Sequence, residues 1–279
     1  MLNTLNYKQL TVIPIILFIL SAVYLFTIKD NLNLDIDLKG GTQISLDSSE
    51  QLDTAKLQTL LSKYDANVRS ARSASSHTTV IEVGSEENAV EIVNEVTKAG
   101  YAFSGYSVQS VGSSLGASFF QQAQIAMALA FIFMAVTVFI IFRIPAPSFY
   151  VILAAAADIV ETLVTMQLLE IKLSLATFAG LLLLIGYSVD TDILLTARVL
   201  KSEGETKQKI KNAMKTGLTM TVTAIAAIGS LLIFTPASVL TQIASVLLIG
   251  LVFDVFNTWI TNAGLLRWYV ESKNAKAGV

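Results

Sequence analysis

The stretch that decides the fold is Leu181–Lys201, LLLLIGYSVDTDILLTARVLK. At a rise of 1.5 Å per residue it makes roughly 31 Å of helix, enough to cross the hydrocarbon of a bilayer. Inside the apolar run stand Asp190 and Asp192. A carboxylate in hydrocarbon costs at least a few kcal/mol, so it faces a partner or a water path rather than lipid. The remaining sequence has to supply those surroundings.

Composition agrees with a membrane protein. Of 279 residues, 53% are hydrophobic and 14% charged, and the mean hydropathy is +0.64. That charged share is well below the quarter typical of soluble domains. A net charge of −2 argues against nucleic-acid binding. With no cysteine there are no disulfides and no thiolate chemistry. The one histidine, His77, lies in a polar region, so no Ser–His dyad is expected within the membrane. No G-x-x-x-x-G-K-[ST] string occurs, and no cofactor or metal is expected.

Outward from the central stretch, five more apolar segments are readable: Leu10–Ile28 and, approximately, 119–142, 147–169, 216–235 and 239–268, with the central span at 173–197. Leu10–Ile28 is longer than a signal-peptide core and lacks a small-x-small cleavage site, so it reads as an uncleaved span. Pro14 would kink it. Breaks fall at Arg143–Pro147, Leu169–Lys172, the charged run Lys201–Lys215, and Thr235-Pro236. The expected organisation is residues 1–29 with helix one, 30–118 as an external domain, 119–268 as helices two to six, and 269–279 as a tail.

The region between the first two spans is polar and periodic. Leu34–Leu46 alternates as a strand around Lys39-Gly40-Gly41, where close packing is expected rather than anion binding. A capping box at Ser48–Gln51 precedes a predicted helix Leu52–Tyr64 with Leu57 and Leu61 on one side. Asn67–Ala74 and Thr78–Val83 read as strands joined by a Ser-rich turn at Ala74–His77. Ser85 is expected to cap a helix Glu86–Ala99, and Tyr101–Val111 is a last strand, followed by a Gly-Ser hinge at Gly112–Gly116. The order β-α-β-β-α-β is the ferredoxin-like split-βαβ arrangement.

Lys and Arg counts orient the chain. Lys8, Arg143, the run Arg198–Lys215, Arg267, Lys273 and Lys276 fall on one side, and the opposite short loops hold only Lys172. Both termini are thus expected in the cytoplasm and the small domain outside. The basic run reads as a solvated loop, with anionic lipid, a channel or the ribosome as secondary contacts.

The intramembrane acids form a group. Asp158 and Asp254 lie roughly halfway along their spans, and Asp190 lies roughly 12 Å before Arg198 by the helical rise. Glu161, Thr162 and Thr165 share a face with Asp158 at i+3 and i+4 spacing. Asn257 follows Asp254 by three residues and could bond a protonated carboxyl. Depth favours Asp190 as the inward carboxylate, with Gly186 making room for a neighbouring helix. Buried acids could simply be protonated glue. With no basic residue at their depth, groups poised to gain and lose protons suit a relay better.

Several strings resemble one family. Gly186-Tyr-Ser-Val189 followed by acids resembles G-Y-S-V-N-D in the fourth span of the SecF branch of the SecD/SecF protein-export family. Asp35-Ile-Asp-Leu-Lys-Gly-Gly-Thr42 resembles its D-x-x-G-G-T, Val111–Gly116 its V-G-x-x-x-G, and Asp158–Leu163 its D-V-x-x-T-L. Asp190-Thr191-Asp192 in place of Asn-Asp resembles the archaeal branch. The resemblance implies an RND-type six-span half with an external ferredoxin-like domain. It implies SecD as partner beside a SecY-type translocon, and proton flow that helps draw a translocating polypeptide outward. Thr191 stands where the family has its acid, so Asp190 or Asp192 would substitute. The family's basic residue in span five falls near Asn212, beside Lys211 and Lys215. Two other classes compete. An intramembrane aspartyl protease would need Asp158 and Asp190 to face one another. A small-molecule or ion exporter of the same fold would ordinarily need a second six-span half.

Overall fold

The computed structural model describes residues 7–72, 77–85, 87–235 and 239–277. The expected Ser-rich turn at Ala74–His77, the first residue of the expected helix at Glu86, and Pro236 fall largely or wholly outside them. Helix α1 (Tyr7–Ile28) runs through Pro14 without a break. A single turn α2 (Ile36–Lys39), capped by Asp35, leads into strand β1 (Gly41–Ser48). Then follow α3 (Thr54–Leu60), β2 (Asn67–Arg72), β3 (His77–Val83), α4 (Ala89–Lys98) and β4 (Gly105–Val111). The sheet is antiparallel throughout, in the order β2-β3-β1-β4. That order, with two crossover helices, is the ferredoxin-like arrangement the alternation predicted.

Its core is local. Ile44 and Leu46 of β1 and Ile81 and Val83 of β3 point to one face, where Leu57, Leu61, Ile92, Val93 and Val96 cover them. Burying each such side chain stabilises by about 1.5–3 kcal/mol. Both helices start later than expected. Asp53 caps α3 by accepting from Lys56 N at 3.1 Å, and Asn88 caps α4 through Val90 N at 3.0 Å. Several cap-capable residues stand upstream, and the one adjoining the first buried turn is used in each case.

The Gly-Ser hinge is not a hinge. Gly112 opens helix α5 (Ser113–Phe142), and Gly116 lies within its first turns. A Cβ on Gly116 would stand 2.6 Å from the Gly40 nitrogen, and one on Gly40 2.5 Å from Ser113 Cα. Gly40 (φ 80°) and Gly41 (φ 142°) also occupy backbone conformations that favour glycine. Lys39-Gly40-Gly41 is therefore a close-packing motif that presses the entrance of β1 against a membrane helix.

The remaining helices are α6 (Pro145–Leu168), α7 (Leu175–Lys201), α8 (Thr206–Phe234) and α9 (Val239–Phe256). A π-helical segment Asn257–Asn262 then continues into α10 (Ala263–Ala277). The Pro145 break falls at the first turn of α6, where a missing N–H costs nothing. The charged run 201–215 is mostly the first turns of α8 rather than a loop. Among the described residues, six helices are long and apolar enough to cross a membrane. Helix α7 packs against α5, α6, α8 and α9 and is the centre of the bundle. Its start is pinned by a reciprocal capping box between Ser174 and Thr177. At Gly250 of α9 no side chain fits, because Leu184 of α7 occupies the space.

The sheet is also clasped to the bundle at the α6–α7 connection. Leu34 bridges Leu173 in the α6–α7 connection, with Asp35 N donating to Leu173 O at 2.7 Å and Leu173 N to Asn33 O at 2.8 Å. Beside this bridge, Glu82 of β3 is 3% exposed and surrounded by three cations. Lys172 donates to it directly, Arg69 lies at 2.9 Å and Lys39 at 3.7 Å. Burial pushes the Glu82 carboxyl up, but the three cations outweigh it and hold it below the usual carboxylate range. Burial of Lys172 outweighs its bond to Glu82 and holds its ammonium below the usual lysine range.

Candidate functional site: a cluster of carboxyls inside the bundle

Four acids meet between α6, α7 and the end of α9: Asp158 and Glu161, Asp192, and Asp254, each at most 2% exposed. Asp158 accepts from Ser188 Oγ at 2.5 Å and from Asn257 Nδ2 at 2.8 Å. The same amide nitrogen donates to Glu161 at 2.8 Å, so Asn257 joins the two acids of α6. Asp254 accepts from Thr191 and from Thr258, each at 3.0 Å. Asp192 accepts from Thr258 at 3.0 Å and from Asn262 Nδ2 at 2.7 Å. Thr162, also buried, bonds back to the Asp158 carbonyl at 2.5 Å, while Thr165 is half-buried.

The π segment makes this geometry. Residues Asn257, Thr258 and Asn262 are all buried, and their side chains reach α6 and α7 from successive positions. Turns of this wider i→i+5 type occur mostly as single-turn bulges inside α-helices and are frequent at functional sites.

Among the described residues, no ion pair touches any of these acids. Glu161 Oε1 and Asp192 Oδ2 are buried without a donor. Hydroxyl protons are also short. Thr258 has one hydrogen but lies at 3.0 Å from both Asp192 and Asp254. Thr191 has one hydrogen and faces both Asp254 at 3.0 Å and the Ser188 carbonyl at 2.8 Å. A proton on Asp254, donated to the Thr258 oxygen, frees the Thr258 hydrogen for Asp192. With the Thr258 hydrogen on Asp192, Asp254 keeps Thr191 as its donor; a proton on Asp254 would add the bond to Thr258. A 220 Å³ cavity between α1 and α6 reaches the cluster at Asn257 and Thr261.

One sequence expectation is corrected. Asp190 does not point inward; it is exposed on the outer side of α7, and Gly186 has no neighbour within 4 Å of where a side chain would begin. The inward stripe is Ser188, Thr191, Asp192, Leu195, Thr196 and Val199. That is a 3–4 spacing, from which position 190 is turned away. Asp158 and Asp190 therefore do not face one another, which removes the geometry the protease reading required. Lys211 and Lys215 are exposed on α8. Ser188, Thr258 and Asn262 were missed by sequence reasoning. The polar run Asn257-Thr-Trp-Ile-Thr-Asn262 inside an apolar span was the signal that could have found the last two.

Among the described residues, six helices long and apolar enough to cross a membrane pack around buried acids, with a small α+β domain inserted after the first, and define a polytopic helical membrane protein. The comparisons narrow this. A family model described as protein export membrane protein SecD/SecF, C-terminal, matches residues 91–272. Protein-export membrane protein SecF of Methanocaldococcus jannaschii is 42% identical, over 97% of this chain and 98% of its own. SecF of Methanothermobacter thermautotrophicus is 40% identical, over 96% of this chain and 94% of its own. SecDF of Thermus thermophilus, a translocon-associated membrane protein, superposes with a TM-score of 0.76 at 20% identity. That match covers 94% of this chain but 38% of the SecDF chain. A heavy metal efflux pump superposes at 0.50 with 16% identity, over 71% of this chain and 21% of the pump. These two structures bear on the fold alone. The chain belongs to the SecD/SecF family of protein-export membrane proteins, and the full-length relatives it matches are SecF.

Proposed function

We propose that this chain is the SecF-type accessory half of a Sec export assembly, paired with a SecD-type half beside a SecY-type channel, and that changes of protonation drive its movement. The observation that carries the reading is the buried cluster Asp158, Glu161, Asp192, Asp254 and Asn257, which has no cation among its partners within the described residues and hydroxyl hydrogens that two acceptors compete for. A carboxyl that changes charge in such a place biases the packing of α6 against α7, because its desolvation cost appears only when it is ionised. Helices α6 and α7 are joined by the connection to which the sheet is clasped, so re-packing between them pulls on the external domain, the part offered to a translocating polypeptide.

Two further parts of the reading have separate support. Asp190, exposed near mid-depth on α7, cannot face lipid at low cost, which supports coverage of that face by the SecD-type half. The Lys and Arg distribution, with Lys211 and Lys215 exposed, supports cytoplasmic termini and a small domain outside. The chain has no cysteine, so single introduced cysteines at 63 and 211 report their sides by membrane-impermeant labelling.

The deciding experiment reconstitutes the chain with its partner half and the channel, and follows proton influx and export together. Asp158→Asn, Asp192→Asn and Asp254→Asn should each leave assembly intact and reduce both signals. Normal influx and export in all three would overturn the proton-linked reading and leave the cluster as structural glue.

A further inference from the structure

At the end of the bundle where α1 and α8 begin, a 340 Å³ groove opens between α1, α8 and the α9–α10 helix. Its lining is graded. Lys207, Arg267 and Tyr7 stand at one end, and Ile210, Met214, Leu218, Val255 and Phe256 continue inward. From Lys207 to Leu218 the groove follows α8 for about 16 Å. Lys207 is exposed and makes no ion pair or hydrogen bond among the described residues. Arg267 stacks on the Tyr7 ring, 4.1 Å from its centroid, and pairs with Glu271 at 2.7 Å. Along the wall, Trp259 is 8% exposed and its indole nitrogen is buried without a hydrogen-bond partner.

We propose that this groove binds one anionic glycerolipid, its headgroup at Lys207 and Arg267 and one hydrocarbon chain laid inward past Trp259. The charge fits in one direction only. Two cations and one carboxylate at the mouth leave a net positive charge at a membrane boundary, where a zwitterionic headgroup gains little. The length and apolar lining fit a chain rather than a soluble ligand. The walls are fixed in place, since Gly217 leaves room only for the Trp259 ring and Gly264 only for Thr11. The groove uses the outer side of the segment whose Asp254, Asn257 and Thr258 make the acid cluster's hydrogen bonds. None of its lining side chains takes part in the Thr258 bonds to Asp192 and Asp254, and the proposal does not depend on the export reading.

The chain supplies its own reporter. It has two tryptophans, Trp259 in the groove and the half-exposed Trp268, so Trp268→Phe leaves Trp259 alone. The full chain is reconstituted in phosphatidylcholine bilayers containing increasing fractions of either brominated phosphatidylglycerol or brominated phosphatidylcholine. Trp259 fluorescence should be quenched at a mole fraction about fivefold lower for the anionic lipid, the preference expected from one uncompensated cation. Lys207→Gln should remove that preference, and Lys207→Gln with Arg267→Gln should leave the two lipids equivalent. Equal quenching by both lipids in the parent protein, a preference that survives the double substitution, or no quenching at all would overturn the proposal.

Discussion

The clasp between the sheet and the bundle can be tested by unequal removal of its partners. Glu82→Gln takes away the one anion and leaves three cations. Arg69 and Lys39, 40% and 47% exposed, can turn to water, but Lys172 at 11% exposed stays in place. Breaking a buried pair so that one charge is stranded costs about 3–5 kcal/mol, and relief of the two exposed cations puts this case near 3 kcal/mol. Lys172→Met is different. Glu82 keeps Arg69 at 2.9 Å and Lys39 at 3.7 Å, so the loss is one charge-assisted hydrogen bond of about 1.5 kcal/mol.

The readout is hydrogen exchange at the Asp35 and Leu173 amides, whose bonds at 2.7 and 2.8 Å close the bridge. Local opening should rise about a hundredfold in Glu82→Gln and about tenfold in Lys172→Met, at 1.36 kcal/mol per decade. Acid should act likewise. Because the folded Glu82 carboxyl sits below its unfolded value, its contribution is complete above the usual range near 4.3 and is lost as pH falls through the lower folded value. Glu82→Gln should lack that acid-dependent step. Equal exchange in the two variants, or faster exchange in Lys172→Met, would refute the assignment of Glu82 as the centre of the clasp.

Three other substitutions give distinct expectations. Asn257→Ala removes both amide bonds to Asp158 and Glu161 and should lower bilayer-embedded stability by about 2–3 kcal/mol, read as a fall in thermal midpoint. Gly217→Ala places a methyl on the Trp259 ring and should cost about 1–3 kcal/mol with a shifted Trp259 emission. Asp190→Leu should leave the isolated chain folded and weaken co-purification with a SecD-type half, whereas Asp192→Leu should destabilise the chain itself, with Thr258 and Asn262 left facing a methyl group.

Much of the architecture was legible because hydrophobicity is periodic and punctuated. Apolar runs broken at Arg143–Pro147 and Leu169–Lys172 mark the spans, and the alternation of β1 marks the sheet. What could not be read has two physical causes. Long-range pairs leave no local trace: Lys172 and Glu82 are 90 positions apart, and nothing near either names the other. Backbone irregularity is likewise set by tertiary packing, so the π turn at Asn257–Asn262 had no pattern of its own. Depth along a helix grouped Asp158, Asp190 and Asp254, but depth carries no angle. Asp190 and Asp192 differ by one turn's fraction, and only the stripe Ser188, Thr191, Asp192, Leu195 distinguishes them.

That angular difference bears on how the central helix can work. Helix α7 carries Asp192 into the bundle, held by Thr258 and Asn262, and Asp190 out of it. A helix lined by acid on one side alone could move against its neighbours with its back to lipid. With an exposed acid at similar depth on the back, it cannot rest against hydrocarbon in either position without a cost of at least a few kcal/mol. The outer face must therefore meet polar matter throughout any movement, whether a second helical half or water held between the halves. Rotation or sliding of α7 that alters the Ser188–Asp158 bond at 2.5 Å on one side then necessarily alters the contacts of Asp190 on the other. In the proposed assembly the two halves are coupled by the helix that holds the acids, with no separate linking element required.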